Sequence, residues 1–462
     1  MRSKLLAVAI AAGLGVVSFH VAAEPATKGK AAQTSSQGSQ ASQNAEIEAL
    51  KAQLAELQAK VMELEQRTDA QSDINVSNGQ NIEAVQKAQV ASDKKMSTID
   101  KFVNNTKIGG TMFFDLTNAD HQEKGKTGGF VTKDGHGSVN GTGFDVKRFY
   151  LTVDHKFDDT WSANLTTDFN YQSTLSQTSL FVKKAYVQGA FDPLFTVRFG
   201  AADMPWIPYV EKWYGYRFIE NTLTDRSIDG GRGTVGVAPA GVGSFGNSSD
   251  WGIHALGATA GDNAINYQLS VVNGRGFRNP SRSDSVDVEG RFGYQPIQEM
   301  VIAIGGYDGK RGNKLESNAA TLTTQNATRG DALVAYRDKT FGVGAEYFTA
   351  KNWDDVLKYN GPLPAGTTVV RDKANGYSLF GDYSFAPQWA LFARYDRVDY
   401  KYWGLTGPQN KLKDTYYNAG VSYDALKNLR LAFAWKYDKL EGPNKAFQYK
   451  TNEIGFWGVL SY

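Results

Sequence analysis

The chain has 462 residues, no cysteine, and 50 Lys plus Arg against 48 Asp plus Glu. Such a balance excludes a nucleic-acid binder with a clear basic excess, and the missing cysteine excludes disulfide staples, thiol chemistry and cysteine-based metal sites. A mean hydropathy of −0.42 does not exclude membrane residence, because a barrel shows lipid only every second residue of its strands.

Residues 1–23 read as a secretory signal peptide. Arg2 and Lys4 supply the positive start, Leu5 to Phe19 the apolar run, and Val21-Ala22-Ala23 a small-residue cleavage site. Fifteen apolar residues are too few to cross about 30 Å of hydrocarbon comfortably. Removing Arg2 and Lys4 lowers the basic count from 50 to 48, equal to the acidic count. No second run is long enough for a membrane helix. An exported chain of this kind enters a membrane only as a closed barrel, because lipid-exposed backbone must satisfy its own hydrogen bonds.

Residues 24–43 are rich in Ala, Thr, Ser, Gln, Gly and Lys with almost nothing to bury, and read as a flexible linker. A heptad seam occupies 44–104. Ile47, Leu50, Leu54, Leu57, Val61 and Leu64 step by 3, 4, 3, 4, 3, the a/d spacing of a coiled coil. The same register passes through polar Thr68, Gln71, Asn75 and Asn78 and recovers at Ile82, Val85, Met96, Ile99 and Val103. So narrow an apolar stripe is expected to pair with copies of itself, its polar layers setting register and strand number.

From residue 105 to 462 the period becomes two, and the expected fold is an all-β transmembrane barrel of about 16 antiparallel strands. Trp161, Ala163, Leu165, Thr167, Phe169 and Tyr171 alternate with polar neighbours; Leu429, Leu431, Phe433, Trp435 and Tyr437 do the same. Runs of about nine to eleven residues match a tilted strand crossing a bilayer. Seven short turns stand at 155–159, 192–193, 261–263, 295–298, 338–339, 386–387 and 425–428. Eight longer polar links alternate with them, at about 118–143, 172–179, 202–250, 273–283, 307–330, 350–374, 399–413 and 438–451. Fifteen connections join sixteen strands; a hairpin more or less would make eighteen or fourteen. An even count puts both ends of the barrel on the short-turn side, which in such barrels is periplasmic. The last strand carries Ile454, Phe456, Leu460 and Tyr462 on one face, an apolar closing strand in which Phe456, Leu460 and Tyr462 make a C-terminal barrel-assembly signal.

Sixteen strands enclose an aqueous channel, whereas eight fill their interior with side chains. Two residue sets are expected to govern passage. The 202–250 link is long for an ordered domain and holds Trp206, Glu211, Lys212, Trp213, Tyr216, Arg217, Arg226 and Arg232; it is expected to fold inward as a constriction. Arg148, Lys184, Arg198, Arg291, Arg394, Arg430 and Lys436 fall on the water-facing side of their strands, with Asp168, Asp287, Glu289, Glu346, Asp382 and Asp396. A basic group at a narrow passage attracts anions, although mixed charges also pair across strands.

The segments Phe144-Asp-Val-Lys-Arg-Phe-Tyr-Leu-Thr-Val-Asp154, Asp159-Thr-Trp-Ser-Ala163, Phe181-Val-Lys-Lys-Ala-Tyr-Val187 and Arg198-Phe-Gly200, running into Met204-Pro205 and the Glu211 region, resemble the early strands of the porin O and P family. The resemblance is clearest over about 107–235. It implies sixteen-stranded trimers in the Gram-negative outer membrane, each barrel narrowed by an inward loop and passing phosphate or polyphosphate. The family's loop lysines have no one-to-one match here.

The expected partners are therefore the outer-membrane bilayer, the outer-membrane assembly machinery, two further copies of the chain, and small anionic or polar solutes. The coiled coil is expected in the periplasm. A general or sugar-selective porin is the nearest alternative, the latter needing an aromatic lane to which Trp206, Trp213 and Tyr216 would contribute; a structural tether with incidental pore activity is another. No cofactor or metal site is expected, and no enzyme: His121, His136, His155 and His254 lie in no recognisable catalytic motif.

Overall fold

The computed structural model describes residues 47–64, 102–124, 130–132, 140–172, 177–228, 244–278, 280, 282–283, 285–312, 326–353, 372–403, 409–443 and 448–462. The signal peptide, the linker, most of the seam beyond Leu64 and Arg232 lie outside these. The chain divides into two units, Met1–Met96 and Ser97–Tyr462.

In the first unit, 47–64 is a helix (α1). Lys51 pairs with Glu48 and Lys60 with Glu56 one turn apart. All six seam residues from Ile47 to Leu64 are exposed.

The second unit is a ring of strands. Its first members are β1 (Thr106–Lys124), a three-residue β2 (Phe130–Thr132), β3 (Gly141–Lys156), β4 (Trp161–Gln172), β5 (Gln177–Asp192) and β6 (Phe195–Asp203). After a short helix come β7 (Ser249–Ala258), β8 (Ala264–Val272), β9 (Asp287–Gln295), β10 (Met300–Gly309), β11 (Ala327–Arg337) and β12 (Phe341–Lys351). The last are β13 (Asp372–Ala386), β14 (Trp389–Trp403), β15 (Gln409–Leu426), β16 (Leu429–Glu441) and β17 (Tyr449–Ser461). Every barrel strand pairs antiparallel with its sequence neighbours, β2 only extends the end of β1, and β1 pairs with β17 from Thr111↔Ser461 to Glu123↔Tyr449. Sixteen strands thus close on themselves and leave no free edge. Tyr462 exchanges both backbone hydrogen bonds with Gly110, at 3.0 and 3.1 Å. A side chain at Gly110 would collide with the Tyr150 carbonyl oxygen of β3, 2.1 Å from its Cβ position, and with the Tyr462 ring at the end of β17; only glycine lets both lie that near.

The short turns fall where the sequence indicates, and their chemistry is local. Asp158 Oδ1 accepts the amides of Thr160 and Trp161, Asp192 Oδ1 that of Leu194, and Asp338 Oδ1 those of Thr340 and Phe341. Such aspartate caps close a turn within its own few residues. Strand length differs from the expectation of nine to eleven: β1 has 19 residues and β15 has 18. At the long-loop end the hydrogen-bond ladder continues past the apolar band, because hairpin pairing does not need lipid to sustain it.

The two faces of the wall are chemically distinct. Outward on β12 to β16 stand Tyr347, Tyr377, Tyr395, Tyr417 and Tyr437, with successive ring centroids from Tyr377 onward 5.1 to 5.8 Å apart. Phe433 and Phe456 pair below them at 5.0 Å. Inward the same strands carry Glu346, Ser378, Arg394, Asn418 and Lys436, all buried.

Candidate functional site

The link between β6 and β7 folds inside the ring. Its helix α2 (Ile207–Tyr214) starts with a proline in its first turn and ends at Gly215, whose φ of 76° supplies the left-handed cap. Ile207, Val210, Trp213 and Tyr214 are its buried face, the i, i+3, i+6/7 spacing of one helical side. Val210, Trp213 and Tyr214 join Trp206, Tyr216, Phe218 and Ile219 in a cluster with Val301, Leu333, Phe380, Phe392 and Trp457 of the inner wall. The loop therefore leans on β10 to β17.

Polar contacts fix its orientation. The Trp206 amide donates to Glu289 Oε1 at 3.0 Å and its indole to Glu346 Oε1 at 2.9 Å. Arg337 donates to the carbonyls of Trp213 (3.0 Å) and Tyr214 (3.1 Å) while forking onto Asp382, a cation where the helix dipole and its orphan carbonyls favour one. Arg291 donates to the Pro205 carbonyl at 2.9 Å and lies 3.6 Å over the Tyr209 ring. Arg394 donates to the Asn221 carbonyl at 2.6 Å and binds Asp396 through two nitrogens.

Further along, Arg226 enters a cage of three carboxylates: Asp396 at 3.2 Å, Asp438 at 3.6 Å, and Asp414. Lys436 bridges Glu220 at 3.0 Å and Glu453 at 2.8 Å. Burial by itself would raise the Glu220 carboxyl, but Lys436, Lys147 and Arg226 together hold it down to about 2.

All seven basic residues singled out from the strands lie on the inner face. Arg291, Arg337, Arg394 and Lys436 hold the loop, and Arg430 pairs with Asp424 beside the Tyr216 ring. In the loop, Arg217 pairs with Glu211 at 2.6 Å, and Lys212 is exposed. Trp206, Trp213 and Tyr216 are all at least nine-tenths buried, so an aromatic lane for sugars cannot be built from them.

Across the lumen the loop touches the wall through Arg217, which lies 5.7 Å from the Phe113 ring and 5.9 Å from the Tyr150 ring, while toward the short-turn end Asn164, Tyr186, Gln188 and Arg198 are only half-buried. Arg148 pairs with Asp168 at 3.1 Å, Lys184 with Asp203 at 2.6 Å, and Arg198 donates to Gln188 at 2.8 Å. At the short-turn end a cavity of about 460 Å³ opens beside Asp154, Asn164, Tyr186, Gln188 and Arg198.

Two β-bulges alter this wall. The β1–β3 register jumps from Phe113↔Arg148 to Phe114↔Val146, and the β4–β5 register from Thr166↔Lys184 to Thr167↔Val182. Lys147 and Lys183 are the extra residues. A bulge sends two consecutive side chains to one face, so Lys147 reaches Asp115 at 3.1 Å and Lys183 donates to the Tyr150 hydroxyl at 3.1 Å. Strict alternation from Arg148 and Lys184 would turn both to lipid. Lys183 is buried over the Tyr150 and Phe277 rings, and it has no carboxylate partner among the described residues. Arg278, over Phe181 at 4.5 Å, stands in the same neighbourhood.

No family model matches the chain, and no curated protein does. Among solved structures it is similar to OmpF of Salmonella typhi in complex with daunomycin, at 11% identity and a TM-score of 0.49, covering 77% of this chain and 97% of that one. It is also similar to an anion-selective porin from Comamonas acidovorans (11% identity, TM-score 0.48, 77% and 99% covered). A loop-deletion mutant of OmpT, an outer membrane protein of Vibrio cholerae, is a third (13%, 0.46, 77% and 99%).

Proposed function

We propose that this chain is an outer-membrane porin, a water-filled channel for passive diffusion of small hydrophilic solutes with a preference for anions. The observation that carries this reading is the closed sixteen-strand ring, apolar outside and charged inside, with the β6–β7 loop packed across its interior. Sixteen strands are too many for side chains to fill, and the loop packs on β10 to β17 and reaches β3 through Arg217 over the Tyr150 ring. Solute passes between the loop and the inner wall of β3 to β6, and residues 204–228 form the constriction.

Anion preference is supported by how the charges are used. On the loop side, basic residues are held by carboxylates and loop carbonyls. Across the lumen, Lys183 and Arg278 stand beside the Arg148–Asp168 and Lys184–Asp203 pairs without a carboxylate of their own among the described residues. In a narrow passage walled by low dielectric, such cations raise the local anion concentration. Phosphate is the anion such a passage would favour.

The working unit is a homotrimer. The outer faces of β1 to β5 carry Phe114, Phe144, Phe149 and Leu165 beside small Gly110, Ala163 and Ala185, a surface suited to close packing against another copy. The exposed seam of α1 supplies a second self-association face, in the periplasm.

Planar-bilayer recordings test the reading. Under a salt gradient the reversal potential should report anion preference, and a cation preference would sink the anion version while leaving the channel. Deleting 209–228 should raise single-channel conductance several-fold; an unchanged conductance would remove the constriction role.

A further inference from the structure

Four lysines stand side by side on the outside of the barrel at its long-loop rim. Lys351 on β12 is directly opposite Lys373 on β13, Lys373 opposite Lys401 on β14, and Lys401 opposite Lys411 on β15. Their strand positions alternate with the buried Ala350, Ala374, Tyr400 and Leu412, so all four point away from the lumen. Neighbouring strands lie about 4.8 Å apart, which places four ammonium-bearing stems across roughly 15 Å of wall.

Like charges directly opposite on a sheet repel and destabilise it. None of the four has a carboxylate partner among the described residues. The rest of the outer rim does not neutralise them: Arg397 is paired with Asp399, Lys439 with Glu441, and Lys413 is a further cation. The lysine row follows the tyrosine row on the same strands. Lys351 is four residues beyond Tyr347, Lys373 four before Tyr377, and Lys401 and Lys411 six from Tyr395 and Tyr417. Aromatic girdles mark the level where hydrocarbon gives way to headgroups. At about 3.4 Å per residue and a tilt near 40°, the lysine backbone sits about 10 to 16 Å above the ring-bearing positions. The headgroup layer is about 5 to 7 Å thick, and the long lysine stems lean down to reach it. The outer faces of β7 to β10 show no such cations among the described residues; Ile253, Val271, Val288 and Ile304 are exposed there instead.

We propose that this lysine row binds the phosphate groups of lipid headgroups in the leaflet at the long-loop end. The inference rests on the outer-membrane reading above. A lipid phosphate supplies an anion that none of the described residues gives the row, and its acyl chains lie along the tyrosine and phenylalanine surface directly below. Membrane-surface lysines contribute through such contacts additively to a first approximation.

The test uses the full-length protein purified in neutral detergent, with lipid retention counted by native mass spectrometry. Phosphatidic acid and phosphatidylcholine of equal chain length are the probes, with inorganic phosphate as competitor. Wild type should retain phosphatidic acid at least about tenfold better than phosphatidylcholine. The K351Q/K373Q/K401Q/K411Q variant should lose that preference while its conductance and ion selectivity stay unchanged. Should the fourfold variant fail to assemble, Lys401→Gln alone, in the middle of the row, should still lower the preference. Equal retention of the two lipids by wild type, an undiminished preference in the variants, or displacement by millimolar inorganic phosphate would each overturn the proposal. A protein that forms no channel at all would instead overturn the porin reading.

Discussion

Arg226 donates from Nε to Asp396 Oδ2 at 3.2 Å, joining residues 170 positions apart in the chain. The same guanidinium serves Asp414 and Asp438 and lies 4.7 Å over the Tyr416 ring. One loop side chain thus ties together carboxylates from β14, β15 and β16. Removing a single partner from a buried charge network leaves the others uncompensated, which costs about 3–5 kcal/mol. Arg226→Ala should therefore release the distal half of the loop, read as larger open-channel noise and as protease cleavage within 216–228. Arg226→Lys should rescue only partly, since one ammonium cannot reproduce the fork.

Glu220 gives the loop an acid limit. Its carboxyl is held at about 2 by Lys436, Lys147 and Arg226 against the effect of burial. A depressed carboxyl contributes stability that is complete above its ordinary value near 4.5 and is lost as pH falls through about 2. Loop protection from protease should hold at pH 5 and decline progressively below pH 4.5. Glu220→Gln should weaken protection at pH 5 and flatten that decline; an unchanged acid profile in the variant would refute the assignment.

Lys183 tests the bulge. It is a buried cation held by one phenolic hydroxyl and two ring faces, and Lys183→Gln removes its charge with little change in length. The reversal potential in a salt gradient should move toward cation preference. Lys107→Gln, whose side chain lies at the short-turn mouth, should move it less.

Phe456 tests the lipid face. It is exposed outward and packs on Phe433 at 5.0 Å. Phe456→Arg places a charge against hydrocarbon, a cost of about 2–4 kcal/mol near the bilayer midplane. Refolding yield into vesicles should fall sharply. An arginine at inward-facing Ser162, which lines the cavity at the short-turn end, should be tolerated better, because that face meets water.

Much of the barrel was legible because its signals are local. A strand's period of two and an aspartate-capped turn are each decided within a few residues, so Asp158, Asp192 and Asp338 mark turns whatever the rest of the chain does. The inward position of the 204–228 segment had a weaker signal: aromatic residues too numerous for a surface loop. What each charge does there had none. Arg291 and Arg394 look like pore-lining cations in sequence, and only their distances to Pro205 and Asn221 show that they hold the loop.

From its own order of residues the chain determined a barrel of about sixteen strands, which of their faces is greasy, and that both ends of the barrel lie on one side. Those follow from backbone geometry repeated residue by residue. The tertiary structure decided where that repetition breaks and which charges meet. A bulge at Lys147 or Lys183 exists only relative to the partner strand, and a cage around Arg226 only once β14 to β16 stand together. Pairing across hundreds of residues leaves no mark on either partner alone.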